Sequence, residues 1–509
     1  MLFNRFIQKD SSIITVEEAE RNELAKVNRM LYKGKQTDVY LQDYLHRIEL
    51  GGSKLEGKEG LISFQSETAQ NFFRSILQGV NITTPIIKTY AGLLFGQDTK
   101  ISSTDEIQNE WLNGKRNGQE SFAKYAIKKF YAAAIEAGLT GNGVMEVYSE
   151  LDNNGQPRAK IAIVPAENWY PIVSEKDPSE IIANAIVYSY KLKDNTYINR
   201  VVIYANGYNL YTAVETKNGK IEKVLDWKQY ENIIGKLPDE IEDFIEEEGI
   251  PNIYKYDTGL SYSMCQVFMN DIKDSNSPFG NPTILPSTRT MERELCVRKT
   301  QNGRVLDKNS DPILTVPEST VEETKSGKPY VNLSGKTIAI NKDYDIQPAY
   351  VEWNGGLAES RAEIVDTIDA VMKETRMAGE LLGSSAGTGV LTGEALYRKM
   401  TATLAELGTK KMLCELAIEN IIKCCWQLEN EGAEDIDCTI EFAKGLPQSE
   451  TEKIDNILKK NGNEAIISLE DSIREMYPSI SEKELQVTIQ KIREQKGLDN
   501  SLTNSPELI

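Results

Sequence analysis

Apolar residues recur at three- and four-residue spacing over the first part of the chain. Residues 16–31, 67–95 and 122–137 all have this spacing, which predicts amphipathic helices. The second of these is predicted to run through Pro85 and to stop at Gly96, and the third to end at Gly138. The chain therefore begins as a helical region.

The hydrophobic period then falls from 3.6 residues to two. Asn154-Gly155, Asn206-Gly207 and Asn218-Gly219 each separate two runs that are rich in β-branched and aromatic residues. Asn-Gly suits the positive-φ positions of a tight hairpin turn, so the pattern predicts three β-hairpins. Up to about residue 277 the sequence predicts an α+β domain.

Two long helical patterns flank a β-rich stretch in the second half. Residues 286–308 predict a helix with a local excess of Lys and Arg, and residues 357–382 predict one with an acidic face. Four short strand-like runs separate them: PILTVP, PYVNLS, KTIAIN and IQPAYVEW. A small β module is thus predicted between one helix that leads out and one that leads back.

The last part of the chain begins with the longest predicted helix, over residues 393–429. Its surface is largely apolar, and Gly408 near the middle is a candidate kink. The strand CTIEFA follows, and then three short helices that begin at Ser449, Ser468 and Ser481. The first and third of these serines precede a glutamate by three residues, as in a capping box. A small helical domain is predicted here.

Charge and composition narrow the possible functions. The 509 residues carry a formal net charge of −19, which disfavours tight binding of nucleic acid by phosphate neutralisation, although solubility alone also explains it. The six cysteines form no Cys-x-x-Cys pair and there is one histidine, so buried, reduced thiols are expected rather than a zinc site. We find no signal peptide and no membrane-spanning run, which predicts a cytoplasmic setting.

The segment LLGSSAGTGVLTGEAL, residues 381–396, interrupts the helical pattern. It has no Walker lysine, and Thr392 stands where a dinucleotide-binding motif needs its third glycine. A phosphate cradle is therefore not expected. Two interpretations remain: a mobile linker between helices, with Thr392 as N-cap, or a loop that moves against another molecule.

The sequence contains no recognisable catalytic or metal-binding arrangement. Ser-His or Cys-His chemistry would depend on His46 alone, in the charged segment LQDYLHRIEL. A surface or packing role fits this histidine better. We expect no enzyme activity, no cofactor and no metal.

The order of these parts resembles that of the portal proteins of tailed double-stranded DNA bacteriophages. NITTPIIKTYAGLLFGQ is similar to an early helix of the family, and TGNGVMEVYSELDNNG with IAIVPAENWYPIV resembles its hairpin and Pro-centred strand. LPQSETEKIDNILKK and IISLEDSIREMYP resemble its C-terminal pattern. The likeness extends over nearly the whole chain and departs from the family at YDTGLSYSMCQVFMND.

The resemblance implies a multi-domain α+β portal fold and a ring of twelve copies. Its parts would be a wing with an N-terminal arm (1–277), an outgoing stem helix (278–308), a clip (309–356), a returning stem helix (357–383), a tunnel loop (384–392), a long kinked helix (393–429) and a crown with a C-terminal tail (430–509). The DNA-facing loop residues would be Ser384, Ser385, Gly387, Thr388, Gly389 and Val390. The clip residues that dock the motor and adaptors would be Ile313, Tyr330, Ile338, Ile346 and Tyr350.

The function implied by the resemblance is structural. The ring would form a channel at one capsid vertex, be assembled in the host bacterial cytoplasm, and pass double-stranded DNA. Its partners would be the terminase large subunit, head-completion adaptors, and the major capsid and scaffolding proteins. The alternatives are a non-viral structural oligomer or assembly scaffold and, less well supported, a nucleotide-using enzyme.

Simple geometry is compatible with such a channel. Twelve helices packed about 10 Å apart give a circumference of about 120 Å and an axis radius of about 19 Å. Subtracting half a helix diameter leaves a channel about 28 Å wide. Duplex DNA, roughly 20 Å across, would pass with room for small loop residues.

Overall fold

The structure is a computed structural model, and it describes a defined part of the chain. The described residues are 16–41, 43, 77–96, 98–114, 120–152, 155–174, 176–191, 196–217, 220–225, 254–310, 313–315, 321–323, 329–331, 349–351, 357–382, 398–430, 432–443, 468–476 and 482–495. They form a mixed α+β structure with several antiparallel sheets, as the sequence predicts.

The helices alternate with strands along the chain. They are α1 (Val16–Tyr32), α2 (Thr83–Phe95), α3 (Glu106–Asn113), α4 (Phe122–Thr140), α5 (Pro286–Ser310), α6 (Leu357–Glu374), α7 (Thr401–Glu429), α8 (Leu469–Met476) and α9 (Glu482–Gln495). Short 3-10 turns cover Ala166–Asn168 and Gly379–Leu382.

The strands form five sheets. They are β1 (Lys100–Ser102), β2 (Asn142–Leu151), β3 (Pro157–Val164), β4 (Trp169–Val173), β5 (Ile181–Lys191), β6 (Thr196–Ala205), β7 (Tyr208–Lys217), β8 (Lys220–Leu225), β9 (Tyr254–Asp257), β10 (Cys265–Met269), β11 (Ile313–Thr315), β12 (Val321–Glu323), β13 (Pro329–Val331), β14 (Ala349–Val351) and β15 (Thr439–Glu441). The larger sheets have the orders β4-β5-β6-β7-β8, with β9 also on β7, and β10-β2-β3. The pairs β1-β15, β11-β14 and β12-β13 complete them.

The three predicted hairpins are confirmed. Leu151 pairs with Pro157, Ala205 with Tyr208, and Lys217 with Lys220, so the strands that each Asn-Gly pair separates in the sequence are hydrogen-bonded partners. Gly207 has φ +82°, which a glycine adopts without the steric cost that a side chain brings. Local turn chemistry thus sets the register of the central sheet.

Helix α4 lies at the centre of the largest hydrophobic core. Small buried residues, among them Ala126, Ala133 and Ala137, let it approach α2 and the sheet that contains β2 closely. Helix α7 buries Ile418, Ile421 and other apolar residues in the same core. Burial of this apolar surface is the main term that stabilises the unit.

Two predicted helix boundaries are wrong. The helix predicted over residues 67–95 is not continuous, because residues 77–82 are not helical and the helix that ends at Phe95 begins at Thr83, with Pro85 in its first turn, where a missing N–H costs little. The predicted start at residue 67 lies outside the described residues. Helix α4 continues through Gly138 to Thr140 and stops at Gly141, which has φ +98°. Gly138 instead allows close packing, since an added Cβ would lie 3.2 Å from Ile87.

The chain divides into two compact units. One comprises residues 1–390 and 396–443, and the other comprises 391–395 and 444–509. Strand β15 pairs with β1, so the residues up to 443 belong to the first unit. In the second unit Ile473, Leu485 and Ile489 form a small core between α8 and α9.

One of the predicted helix starts in the second unit is described. The Ser468 hydroxyl accepts the Asp471 N–H at 3.0 Å, which confirms its role as the cap of α8. The capping boxes at Ser449 and Ser481 lie outside the described residues.

Candidate functional site

Helices α5 and α6 form an antiparallel pair that leaves and re-enters the first unit. The Arg298 guanidinium lies 2.9 Å from the Glu363 carboxylate, and the Ser360 hydroxyl 2.8 Å from Asn302 Oδ1. At the base of the pair, Ser287 donates to Glu374. Residue numbers rise along one helix as they fall along the other, so the outgoing and returning helices lie side by side over most of their lengths.

The base of this pair is anchored in a hydrophobic core. Leu295 of α5 and Val371 of α6 pack in one buried cluster with Ile86, Tyr90 and Ile284. Toward the other end of the pair exposure rises, and the Leu306 side chain is 57% exposed. The pair is therefore held firmly where it meets the unit and is open to solvent farther out.

A buried carboxylate reinforces the anchor. Glu292 of α5 is fully buried and accepts hydrogen bonds from the hydroxyls of Tyr40 (3.2 Å) and Thr83 (3.0 Å), from the Ile82 N–H (3.2 Å) and from the Gln36 amide (3.3 Å). Burial raises the pKa of Glu292, and these hydrogen bonds offset part of that rise. The base of α5 is thus tied to two other segments of the chain.

The small β module lies between the two helices, as predicted. Strand β11 pairs with β14, so the chain that leaves α5 is paired with the chain that returns to α6. Ile313 lies opposite Val351, and Tyr350 opposite Leu314. Strand β12, which the sequence pattern did not indicate, pairs with β13 and sets Glu322 opposite Tyr330. Ile338 and Ile346 lie outside the described residues.

The glycine-rich segment follows this pair, and its flanks are described. Residues 384–392, with Ser384, Ser385, Gly387, Thr388, Gly389 and Val390, lie outside the described residues. The returning helix ends at Glu374 and not at residue 382 or 383 as predicted. Arg376 has φ 53°, and the Met377 N–H donates to the Met372 carbonyl at 2.9 Å. This is the bonding of a Schellman cap, here without the usual glycine.

Hydrogen bonds from α7 and α2 hold this helix end in place. The fully buried Thr403 hydroxyl donates to the Arg376 carbonyl at 2.8 Å and accepts the Ala378 N–H at 2.8 Å. The Tyr90 hydroxyl donates to the Thr375 carbonyl at 2.7 Å. These tertiary bonds stabilise the left-handed conformation of Arg376, which costs free energy in isolation.

A buried ionic network lies beneath the same junction. Glu406 pairs with Arg376 at 2.7 Å and with Lys410 at 3.1 Å. The Lys410 ammonium also donates to the Asn270 carbonyl (3.0 Å) and side-chain oxygen (2.8 Å). Burial lowers the pKa of Lys410, and the Glu406 carboxylate opposes that effect. Sequence reasoning missed this network, for which the four-residue spacing of Glu406 and Lys410 was the only signal.

An ion pair spans the glycine-rich segment. Lys399 donates to Glu380 at 2.7 Å, and this hydrogen bond lowers the pKa of the Glu380 carboxyl. Because the two residues lie on opposite sides of residues 383–397, the ends of that segment are held close together. Both flanks of the predicted tunnel loop are therefore fixed to the first unit.

Gly408 lies within α7, which is helical from Thr401 to Glu429. An added Cβ at Gly408 would have no neighbour within 4 Å. The glycine is therefore not required by close packing in the described chain, and the bend at this position stays a prediction. Residues 393–397 of the predicted helix lie outside the described residues.

The described residues contain no group of three or more His, Cys, Asp or Glu side chains that suits a metal ion. All six cysteines are buried, and none of them forms a disulfide. Burial raises the pKa of Cys296 to about 11 and that of Cys424 to about 12, which disfavours the reactive thiolate. His46 lies outside the described part of the chain. Within that part no helix has the length and apolarity that a membrane crossing requires.

No protein-family model matches the chain, and a search of curated proteins finds no match.

Proposed function

We propose that this chain is the subunit of a portal, a ring-shaped channel at one vertex of a tailed-bacteriophage capsid. Double-stranded DNA passes through the ring when the capsid is filled and when the genome leaves. The work of packaging comes from a separate motor, the terminase, that docks on the ring. Head-completion adaptors dock there later, and the major capsid and scaffolding proteins surround it.

One observation carries the proposal: a small β module on an antiparallel helix pair, followed by the glycine-rich segment and the long helix α7. The pair is anchored at its base by the Leu295–Val371 core and by Glu292. An anchored, outward-leading pair suits a stem, and strands at its tip suit a docking surface. This arrangement supports the order of stem, clip and returning stem that a portal requires.

The fixed flanks of residues 383–397 support a role for this segment as a contact loop. The Glu380–Lys399 pair and the Thr403 hydrogen bonds hold both ends of the segment. A linker between independently moving helices would not need ends that are tied together. Small residues such as Ser384 and Gly387 suit a loop that touches moving DNA without gripping it, and the acidic balance of the chain disfavours adhesion.

A non-viral structural oligomer is the main rival function. Such an oligomer, like a portal, would have exposed helix faces and no catalytic groups. Unlike a portal, it would not need a DNA-contacting loop. The experiment that separates the two must therefore act on residues 384–392.

The test replaces Ser384, Ser385 and Thr388 with lysine. We expect ring assembly to persist and DNA translocation to fall, because each lysine attracts phosphate in a narrow channel and the effect repeats in every subunit. Even an attraction of about 0.5–1 kcal/mol per exposed lysine–phosphate contact would slow translocation substantially, because many contacts must break at each step. The measurement is the amount and length of DNA packaged into heads that carry the variant.

A matched variant replaces the same three residues with glutamine, which adds similar bulk without charge. Packaging near the wild-type level in the glutamine variant, with a loss in the lysine variant, supports a DNA-contacting loop. Full-length packaging by the lysine variant would contradict that role and return the segment to a linker.

A further inference from the structure

We propose that the N-terminal half of α4, together with Lys160 of β3, binds an acidic segment of another protein. The binding surface, called the lysine surface below, consists of Lys124, Lys128, Lys129 and Lys160 around Tyr125 and Tyr148. The inference goes beyond the proposed function and does not depend on the ring. It follows from the charge of α4, from the contacts of its lysines, and from the position of the surface in the fold.

The first two turns of α4 concentrate positive charge. Its first eight residues include three lysines, Lys124, Lys128 and Lys129, and no acidic residue. The N-terminus of a helix already carries a partial positive charge, so lysines at this end destabilise the helix itself. The one acidic residue of α4, Glu136, is buried and pairs with Arg29. In a chain with a net charge of −19, this departure from helix stability indicates a role other than folding.

Tyr125 brings two of the lysines together. The ammonium groups of Lys129 and Lys160 lie 5.5 Å and 5.6 Å from the centre of its ring. The Tyr125 hydroxyl accepts the Ile161 N–H at 2.9 Å, which fixes the ring against the edge of β3. In the described part of the chain no carboxylate forms an ion pair with either lysine. Two positive charges are thus held close together and remain available to an external anion.

The exposed side of α4 extends this surface. Lys124 and Lys128 lie one turn apart on that side. Lys128 is 68% exposed and pairs with Glu120, an exposed contact that contributes little free energy and that a ligand can displace. Tyr148 lies opposite Lys160 in the β2–β3 pair and is 38% exposed. An exposed aromatic ring beside several cations suits a contact with a protein of complementary charge.

The lysine surface lies far from the glycine-rich segment. Phe122, at the start of α4, packs on Trp111 with 4.3 Å between the ring centres, and Trp111 packs on Trp426 of α7 at 5.2 Å. Thr403, which holds the flank of the glycine-rich segment, lies near the other end of α7, roughly 35 Å away along the helix at 1.5 Å per residue. The lysine surface is therefore separate from the candidate functional site.

An acidic protein segment fits this surface better than a nucleic acid does. Glu120 pairs with Lys128, and Glu150 lies two residues from Tyr148 on the same face of β2. Together with the net charge of −19, these carboxylates repel a continuous polyphosphate. Tyr125 is partly buried and has both lysines against its ring, which obstructs the stacking of a base.

A peptide avoids these obstacles. It can place single carboxylates on the lysines and leave the two glutamates uncovered, because its charges are separated by neutral residues. An apolar side chain of the same peptide can cover the exposed ring of Tyr148.

The test is fluorescence anisotropy with the purified full-length chain and three fluorescein-labelled probes. The first probe is a synthetic peptide in which glutamates are interspersed with leucines and serines. The second is the same peptide with glutamine in place of every glutamate, and the third is a random-sequence DNA duplex. We expect the acidic peptide to bind, the glutamine peptide to show no binding, and the duplex to bind more weakly than the acidic peptide.

Two variants locate the binding. Lys129→Gln with Lys160→Gln should weaken binding of the acidic peptide about tenfold and reduce its salt dependence, because two charged contacts are lost. Tyr148→Ser should also weaken binding but leave the salt dependence unchanged, since it removes an uncharged contact. The matched control carries Lys373→Gln and Lys491→Gln, at exposed positions of α6 and α9, and should bind as the wild type does.

Circular dichroism should show that every variant is folded. Absence of binding to the folded wild type, equal binding by the Lys129 and Lys160 double variant, or equal binding of the glutamine peptide would overturn this inference. Tighter binding of the duplex than of the acidic peptide would overturn it in favour of a nucleic-acid interface. The proposed function is unaffected by any of these results, because its own test acts on residues 384–392.

Discussion

At the scale of single residues, the base of the helix pair depends on hydrogen bonds to buried polar groups. Glu292 is the clearest case, because its carboxylate accepts four hydrogen bonds without an adjacent cation. A carboxylate in this setting organises its donors but loses hydration. The sequence pattern gave no reason to distinguish Glu292 from the solvent-exposed acids of the same helix.

Replacement of Glu292 by alanine should lower the free energy of unfolding by about 2–4 kcal/mol, because several buried donors lose their acceptor. The Glu292→Gln substitution should lower the free energy of unfolding less. Its carbonyl oxygen still accepts hydrogen bonds, and the hydroxyls of Tyr40 and Thr83 can turn to accept hydrogen bonds from its amide. Denaturant unfolding of the two variants measures the difference. Glu294→Gln, on the same helix and partly exposed, is the control.

The same residue predicts a pH dependence. Burial raises the pKa of Glu292 above its usual value of 4.5, so the stability that its protonated form contributes is lost as the pH rises through the folded-state pKa. The Glu292→Gln protein lacks this loss, and its stability relative to the wild type should therefore increase with pH above about 4.5. A constant difference across this window would show that Glu292 does not titrate differently in the folded state.

The buried ion pair of Glu406 and Lys410 supports the flank of the glycine-rich segment. The Lys410→Met substitution should lower the free energy of unfolding by about 3–5 kcal/mol. It leaves Glu406 with only the exposed Arg376 as an ionic partner, and it removes the ammonium group that donates to Asn270. Lys411→Met is the neighbouring control, since that lysine is only partly buried and makes one backbone hydrogen bond. Equal melting temperatures for the two variants would contradict the role given to this network.

At the scale of elements, the parts that the sequence predicted well are those fixed by local chemistry. Asn206-Gly207 sets a hairpin because its backbone preference needs no distant partner, and the outgoing helix begins at Pro286 as its pattern indicates. The end of α6 was not predictable in this way. Arg376 adopts a positive φ, and the Thr403 hydroxyl that stabilises its carbonyl is 27 positions away in the chain.

In the candidate site, too, the parts fixed by local sequence pattern could be predicted and the tertiary contacts could not. The existence of a β module between two helices could be predicted from alternating apolar runs, whereas β12 was missed because Val321–Glu323 is short and largely charged. The ionic network under the junction could not be predicted, because its members come from Asn270, Arg376 and α7. Contacts of this kind depend on tertiary proximity and produce no periodic pattern in the sequence.

The β module itself yields a prediction at this scale. Thr315 pairs with Ala349, so a short Gly-Ser linker in place of residues 316–348 can join β11 to β14 directly. We expect the remaining chain to fold and to form rings, since the described strands of the module contribute no residue to the main hydrophobic clusters, but to lose binding of the motor and adaptors. A pull-down of terminase with the wild-type and shortened chains measures this, and retained binding would show that the docking surface lies elsewhere.

At the scale of the whole molecule, the account depends on assembly. One copy exposes charged and apolar helix faces on α5 and α6, with Leu306 and Val365 about half exposed. The described residues of the same copy contain no group of three or more His, Cys, Asp or Glu side chains that could hold a metal ion. Under the proposed function, the chain acts as part of an oligomer whose central opening is the functional site.

The most direct measurement is electron cryomicroscopy of the purified full-length chain. The account predicts closed rings with a central channel wider than the roughly 20 Å diameter of duplex DNA, with the α5–α6 pairs side by side around it and residues 384–392 pointing toward its axis. Monomers, open filaments, or closed rings whose opening is too narrow for duplex DNA would contradict it.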